Sequence, residues 1–289
     1  MSPPQVLVLG AEGFVGRRLT AKLHGMGWEP AAKFDTADAI VNAAYGRPAK
    51  IRTSANALFD RAASHPARPR IVHLSSMTVY GSASGIVDEG SELRADLGDY
   101  SAAQLEAERR AAAYPNCVVL RSSCEYGPSC PQWSERIARL LKSRRLGDLG
   151  AQGDGYCNLV YIDDLVAAII AAIRRPGIEA RVFNVAAPEP ITWNDYFLRF
   201  ARALGAVPLR RIGAHRLRWE TKALAPPLQI LELIAQRLHL PLSTPPVLSP
   251  SLARLCEQEI RLDSRLSTEQ LGLSYISLDE GLARTAQAY

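Results

Sequence analysis

The chain has 289 residues, 47% hydrophobic and 22% charged, with a net charge of +5. That length can bury a sizeable core, as one large domain or one and a half, and the composition excludes disorder. The charge suits an anionic ligand and gives no argument for a nucleic-acid partner. The longest apolar run, Leu165 to Ile173, is far short of the roughly 20 residues that span a bilayer, so no membrane partner is expected. The five cysteines include no CxxC pair and HExxH is absent, so free thiols and no metal are expected. Strand-like residues begin at Val6 with no basic, apolar leader before them, so no signal peptide is expected and the location reads as cytoplasmic.

In chain order, VLVL (Val6 to Leu9) reads as a buried strand, Gly10, Gly13 and Gly16 follow at three-residue spacing, and Phe14, Val15 and Leu19 recur with helical period. Strand, glycine turn and helix together make a phosphate cradle. The backbone can turn tightly, approach a pyrophosphate closely and offer the unpaired N–H groups of a helix N-terminus. The next buried strand, Ala39 to Ala43, begins about a dozen residues after the first helix ends near Met26. Parallel neighbours need a crossover of a dozen residues or more, and four residues between Phe34 and Ala39 span at most ~14 Å. Residues 29–34 therefore form at most a stub of strand, and the sheet is trimmed on the side that would cradle adenosine. No clear acidic residue stands where a ribose 2′-hydroxyl would be held; Arg17, Lys33 and Asp35 are the candidates, and two basic residues of three lean toward a 2′-phosphate.

Strand and helix then alternate. A helix is expected over 52–64, a strand from Arg70 to Leu74 leading into SSMTVYG, a loop over 82–98, and a helix from Tyr100 to Ala113 capped by Asp99. Cys117 to Leu120 reads as a strand leading into RSSCEYGP, 132–145 as a helix, Leu159 to Ile162 as a strand feeding a helix capped by Asp163 or Asp164, and Arg181 to Val185 as a strand. Thr192 with Asp195 reads as a capping box for a helix ending at Gly205, and the Pro-rich pieces at 226–227 and 241–250 as loops. The expected fold is α/β, a doubly wound parallel sheet truncated on the adenosine side, with a small, mostly helical C-terminal region. The expected domains are 1–150, with 156–186 returning to the first, and 187–289.

GAEGFVG, VNAAYG, HLSSMTVYG, Tyr100 on a helix, LRSSCEYGP and NLVYIDDLVAAI stand in the order and spacing of the extended short-chain dehydrogenase/reductases, and the chain resembles the NAD-dependent epimerase/dehydratase family over nearly its whole length. The resemblance implies a Rossmann domain binding NAD or NADP, a small domain for a nucleotide-sugar or similar polar metabolite, and hydride transfer at a C–OH/C=O centre. It implies Ser76, Tyr100 and Gln104 as the catalytic positions. Around the cofactor it implies Gly10, Gly13, Phe14, Val15, Gly16, Arg17, Lys33, Asn42, Ala43, Ala44, Ser75, Tyr100, Gln104, Ser122 and Ser123, and around the substrate Met77, Thr78, Glu125, Asn158 and Arg254. Related proteins often dimerise through the two helices that here carry Ala55, Ala62, Ala63 and Ala102, Ala103, Ala107, so a homodimer is expected.

The chemistry needs a proton carrier and a second hydrogen bond to the substrate oxygen. The family sharpens its tyrosine with a lysine four residues on; here that position is Gln104, which keeps hydrogen bonding but supplies no charge. This departure leaves a second reading open: a family member without redox turnover, acting as a ligand-binding protein or by cofactor-independent proton chemistry. Met77 and Thr78 stand where the dehydratases carry an acidic pair, which disfavours elimination. No GxSxG surrounds Ser75, which disfavours a serine hydrolase. His73 reads as a residue pointing into the sheet. The basic stretch Arg210, Arg211, His215, Arg216 and Arg218 reads as a solvated face or, with Arg254 and Arg261, as the border of a diphosphate pocket.

Overall fold

A computed structural model describes residues 3–219 and 248–289. The Pro-rich loop expected at 226–227, and residues 241–247 of the one expected at 241–250, lie outside the described residues; at the end of the second, Pro250 opens a short helix capped by Ser249. Among the described residues the strands are β1 (Val6–Leu9), β2 (Ala39–Asn42), β3 (Arg70–Ser76), β4 (Gly85–Val87), β5 (Cys117–Ser122), β6 (Cys124–Tyr126), β7 (Leu159–Tyr161), β8 (Val182–Val185) and β9 (Ile260–Leu262). The helices are α1 (Phe14–Gly25), α2 (Pro48–Ser64), α3 (Asp99–Ala112), α4 (Arg136–Lys142), α5 (Ile162–Arg174), α6 (Trp193–Ala203), α7 (Ala214–Trp219), α8 (Pro250–Cys256), α9 (Arg265–Leu271) and α10 (Leu278–Ala286).

Packing divides the chain into two compact units, as far as their residues are described. One is Met1–Glu125, Leu159–Pro188 and Leu262–Ile276; the other is Tyr126–Asn158, Glu189–Arg261 and Ser277–Tyr289. These bounds differ from the expected 1–150 with 156–186, and 187–289. Residues 126–150 supply α4, which packs on α6 of the second unit, and Leu262–Ile276 supplies α9, which packs on α5 and β8 of the first.

The first unit is built on a five-stranded parallel sheet of order β1-β2-β3-β5-β8. Its strands read as apolar runs because helices cover both faces. On one face α2 and α3 pack together over Ile40, Ile71, Cys117 and Val119; α1 packs with α5, which lies on β3 and β5 on the other. The truncation is plain at β1. Val6 pairs with Pro30 in a single bridge, Ala31 N donates to Val6 O at 3.0 Å, and Phe34–Thr36 then make one 3₁₀ turn. Proline has no N–H with which to extend a ladder. Phe34 joins the core of α2 and α3, so the chain leaves β1 on one face, touches its outer edge at Pro30 and returns by the opposite face to β2. Double winding survives, with the outer strands reduced to a bridge.

Several boundaries move for local reasons. Asp99 does not cap α3: the N-cap is Gly98, whose φ is +113°, and Asp99 lies in the first turn, where its charge suits the helix dipole. Asp163 and Asp164 likewise fall in the first turn of α5, behind Tyr161, with Asp163 paired to Arg18. Helix α2 starts early, with Pro48 at its first position. The 132–145 helix is a short π-helical turn, Pro131–Glu135, followed by α4, and the 82–98 loop contains β4. The capping box forms as read, with Asp195 N donating to Thr192 Oγ1 at 3.1 Å and Thr192 N to Asp195 Oδ2 at 3.0 Å. Behind it, Trp193, Tyr196, Phe197 and Phe200 of α6 form the fully buried centre of the second unit. The five cysteines are buried, and none is joined in a disulfide. Among the described residues no helix is long and apolar enough to cross a membrane.

Candidate active site

The glycine loop closes between β1 and α1, with Gly13 N donating to Gly10 O at 2.9 Å. Two of its glycines answer to the fold. Gly10 has φ +84°, and a Cβ there would come within 2.6 Å of Ala43 O; one on Gly16 would fall 2.1 Å from Gly10 O. Gly13 differs: its φ is −75°, and an added Cβ would meet only Gly10 O, at 3.1 Å. Its φ would admit another residue, and the close neighbour of a Cβ there is a backbone oxygen of the loop itself, so glycine keeps the loop surface bare, as the close approach of a pyrophosphate requires. Helix α1 has no side-chain cap and no acidic residue in its first turn, so its first N–H groups face no competing anion from that turn. These features fit a dinucleotide. Phe14 is half-buried and Val15 buried along α1.

Arg17 is exposed and braces the loop through Nη1 to Glu12 O at 2.9 Å, and Lys33 is exposed. Asp35 is held by Arg61 at 2.9 Å, which ties up the acidic candidate of the three. Across the loop, Ala43 N donates to Leu9 O at 3.0 Å, and Ala44 N to Asn42 Oδ1 at 3.4 Å. Asn42 Nδ2 also meets His73 Nδ1 at 3.0 Å, so His73 is a core residue, as read from the sequence. Burial lowers its pKa to about 4, against the opposing pull of Glu108.

Tyr100, Gln104 and Ser76 converge beside the end of β3. Gln104 Nε2 donates to the Tyr100 hydroxyl at 2.9 Å, and Ser76 stands close enough to that phenol to help lower its pKa. Burial pushes the Tyr100 pKa well above the ordinary phenol value, while Gln104 and Ser76 pull the other way and nearby Tyr45 and Glu125 add to the rise. Thr78 N donates to Ser76 Oγ at 3.3 Å, which leaves the Ser76 proton to donate elsewhere. Glu125 lies on β6, just past the end of β5, and Ser122 Oγ donates to its Oε1 at 2.7 Å; burial raises its pKa and that bond opposes the rise. Tyr45, 68% exposed, sets its ring 5.9 Å from that of Tyr100. Its position was not legible as functional in the sequence, although it directly follows VNAA.

The other positions differ in what they offer. Ser75 Oγ is committed to Glu108 at 2.7 Å, and Met77 is buried in the turn after β3. The hydroxyls of Thr78 and Ser123 are buried without a partner among the described residues. Asn158 and Arg254 belong to the second unit. There Asn158 Nδ2 donates to Ile260 O at 2.8 Å and Arg254 stands exposed on α8. Of the basic stretch, Arg211 pairs with Asp148 at 3.3 Å. Sequence reading passed over Glu108 and Arg121, a buried ion pair extended to Tyr80 and Asn184. Among the described residues no three His, Cys, Asp or Glu side chains group as metal ligands.

Known proteins agree with this architecture. Protein YeeZ of Escherichia coli strain K12 is 29% identical over 153 residues, 52% of this chain and 52% of its own length, so the match spans about half of that relative. Among solved structures, human epimerase family protein SDR39U1 (isoform 2) with NADPH superposes with a TM-score of 0.77 at 19% identity, covering 98% of this chain and 99% of that one. MoeE5 in complex with UDP-glucose and NAD gives 0.70 at 19% identity, covering 98% and 97%. At such identities these likenesses speak for the fold. The sequence profile of the NAD dependent epimerase/dehydratase family matches residues 33–186, more than half of the chain, and with the glycine loop and the parallel sheet in place the protein belongs to that family.

Proposed function

We propose that the protein is an NAD(P)-dependent oxidoreductase or epimerase that moves a hydride at a C–OH/C=O centre of a nucleotide-sugar or similar polar metabolite. The observation that carries this is the meeting of Tyr100, Gln104 and Ser76 in the unit that also bears the Gly13 loop. The Gly13 backbone and the first turn of α1 would hold the pyrophosphate, and exposed Arg17 and Lys33 favour a 2′-phosphate, hence NADP. Bound nicotinamide supplies the hydride acceptor or donor. In the oxidising direction Tyr100, as phenolate, takes the proton of the substrate hydroxyl; in reduction it returns it. Ser76 Oγ–H donates to the substrate oxygen, and Gln104 Nε2–H steadies the phenolate. MoeE5, solved with UDP-glucose and NAD, supplies the substrate class by likeness.

The raised Tyr100 pKa favours a second reading, a relative that binds such ligands without redox turnover. Calorimetric titration with NAD(H) and NADP(H), followed by nicotinamide absorbance assays over UDP- and dTDP-sugars, separates the two. Cofactor binding with absorbance change supports the first reading, binding without turnover the second, and no binding removes both.

A homodimer through α2 and α3 completes the proposal. Ala55, Ala62, Ala103 and Ala107 are taken up in the core beneath these helices, which leaves exposed Ala63 and half-buried Ala102 to a partner. Light scattering is expected to return twice the 31.5 kDa chain mass; a single chain mass across micromolar concentrations would count against it.

A further inference from the structure

We infer that Glu108, through its buried pairing with Arg121, is a positioning residue that sets the place of Tyr100; this rests on the reading of Tyr100 as proton carrier. Tyr100, Gln104 and Glu108 recur every four residues on α3 and so form one stripe on one side of the helix. The first two are joined hydroxyl to amide at 2.9 Å. The third ends the stripe in an ion pair whose side chains are 4% (Arg121) and 6% (Glu108) exposed. Glu108 Oε2 accepts from Oγ of Ser75, the residue before Ser76 on β3, at 2.7 Å. Arg121, on β5, donates to Glu108 through Nε at 3.0 and 3.2 Å and through Nη2. Its Nη1 reaches the Tyr80 hydroxyl at 2.8 Å, and Tyr80 donates to Asn184 Oδ1 on β8 at 2.6 Å. The helix that carries Tyr100, the strand that carries Ser76 and the strand that leads to Ser122 and Glu125 therefore meet at one carboxylate.

On its own apolar side α3 offers small side chains, which carry little directional information about register. Its sheet-facing side is made of small residues, Ala103, Ala107 and Ala111, and a cavity of about 260 Å³ lies beside it, lined in part by Leu93, Leu105 and Val182. A carboxylate gripped by a guanidinium fork is directional and resists both sliding and rotation of the helix. Register matters more here because Tyr100 has no lysine four residues on: the bond from Gln104 acts over hydrogen-bond distance only. A displacement of 1 Å at a reacting group can cost about 10²-fold in rate.

The test compares Glu108→Gln and Arg121→Met with the double variant Glu108→Leu, Arg121→Met. The measurements are melting temperature, the ¹³Cζ-tyrosine resonance of Tyr100 (assigned with Tyr100→Phe), and kcat and KM on a turned-over nucleotide-sugar. The single variants are expected to shift the Tyr100 resonance and to lose kcat by about 10²-fold, with KM moving far less than kcat. An apolar pair avoids the desolvation cost of the ions, so the double variant is expected to regain melting temperature but neither the resonance nor kcat. If resonance and kcat return with the melting temperature, or if folded Glu108→Gln leaves the resonance unmoved, the inference is overturned. The resonance decides it with or without a substrate, whereas absence of turnover by wild type strikes the proton-carrier reading instead.

Discussion

Replacing Gly13 by valine is expected to remove dinucleotide binding while the protein remains folded. The side chain would occupy the space in which a pyrophosphate approaches the loop, and at least two charge-assisted hydrogen bonds, each of about 1.5–3 kcal/mol, would go with it. That amounts to a loss of ~100-fold or more in Kd. The fold should survive the change because Gly13 has an ordinary φ of −75° and a Cβ there has one close neighbour, Gly10 O at 3.1 Å, which must give by a few tenths of an ångström. Valine is a poor N-cap, at a cost of about 1 kcal/mol. Gly16 provides the contrast, since any side chain there would run into the backbone of Gly10 and Ala11. Calorimetric titration of wild type and Gly13→Val with NADP(H) decides the matter, and equal affinities would remove the loop from the cofactor site.

The second large effect concerns Tyr100. Phenylalanine at this position is expected to lower turnover by about 10²–10⁴-fold, the usual cost of a lost general acid or base. Because burial raises the phenol's pKa, little phenolate exists near neutrality. The rate of alcohol oxidation by wild type should then rise about tenfold per pH unit and keep rising well past neutrality. Gln104 Nε2 lies 2.9 Å from the phenol oxygen, so the ammonium of Gln104→Lys falls within reach of it. A positive charge there favours phenolate and moves the profile toward lower pH. If Tyr100→Phe turns over as well as wild type, the proton carrier is another group near Ser76, and Glu125, half-buried on β6, is the first to replace.

How far the sequence disclosed these features follows from the range of the interactions involved. Apolar runs and helical spacing made the sheet legible, and the short span from Phe34 to Ala39 made its truncation legible, because steric reach is a local property. Gly10, Gly13 and Gly16 were legible as a loop, but their separate duties were not: Gly10 is crowded by Ala43 and Gly16 by Gly10 itself, and only tertiary contact distinguishes them from Gly13. Asp99 was misplaced by one position because Gly98 supplies the turn at its side. Glu108 stands eight residues from Tyr100, and Arg121 lies inside LRSSCEYGP. Nothing in either spacing marks them as partners until α3 is docked on β3 and β5. The serines of β3 divide in the same way, with the Ser75 hydroxyl bound to Glu108 and that of Ser76 accepting from Thr78 N.

The bridge at Pro30 also changes the order in which the sheet can be assembled. Val6 pairs with Ala39 and Ala39 with Arg70, so the first three strands are joined by loops of similar, modest length. A full set of outer strands and helices between β1 and β2 would lengthen the first of those loops, and the entropy of closing it grows with its length. Pairings of low sequence separation form sooner than distant ones. Trimming the adenosine side thus makes the β1–β2 junction, which frames the glycine loop, one of the most local contacts in the sheet and brings it within reach of an early folding nucleus.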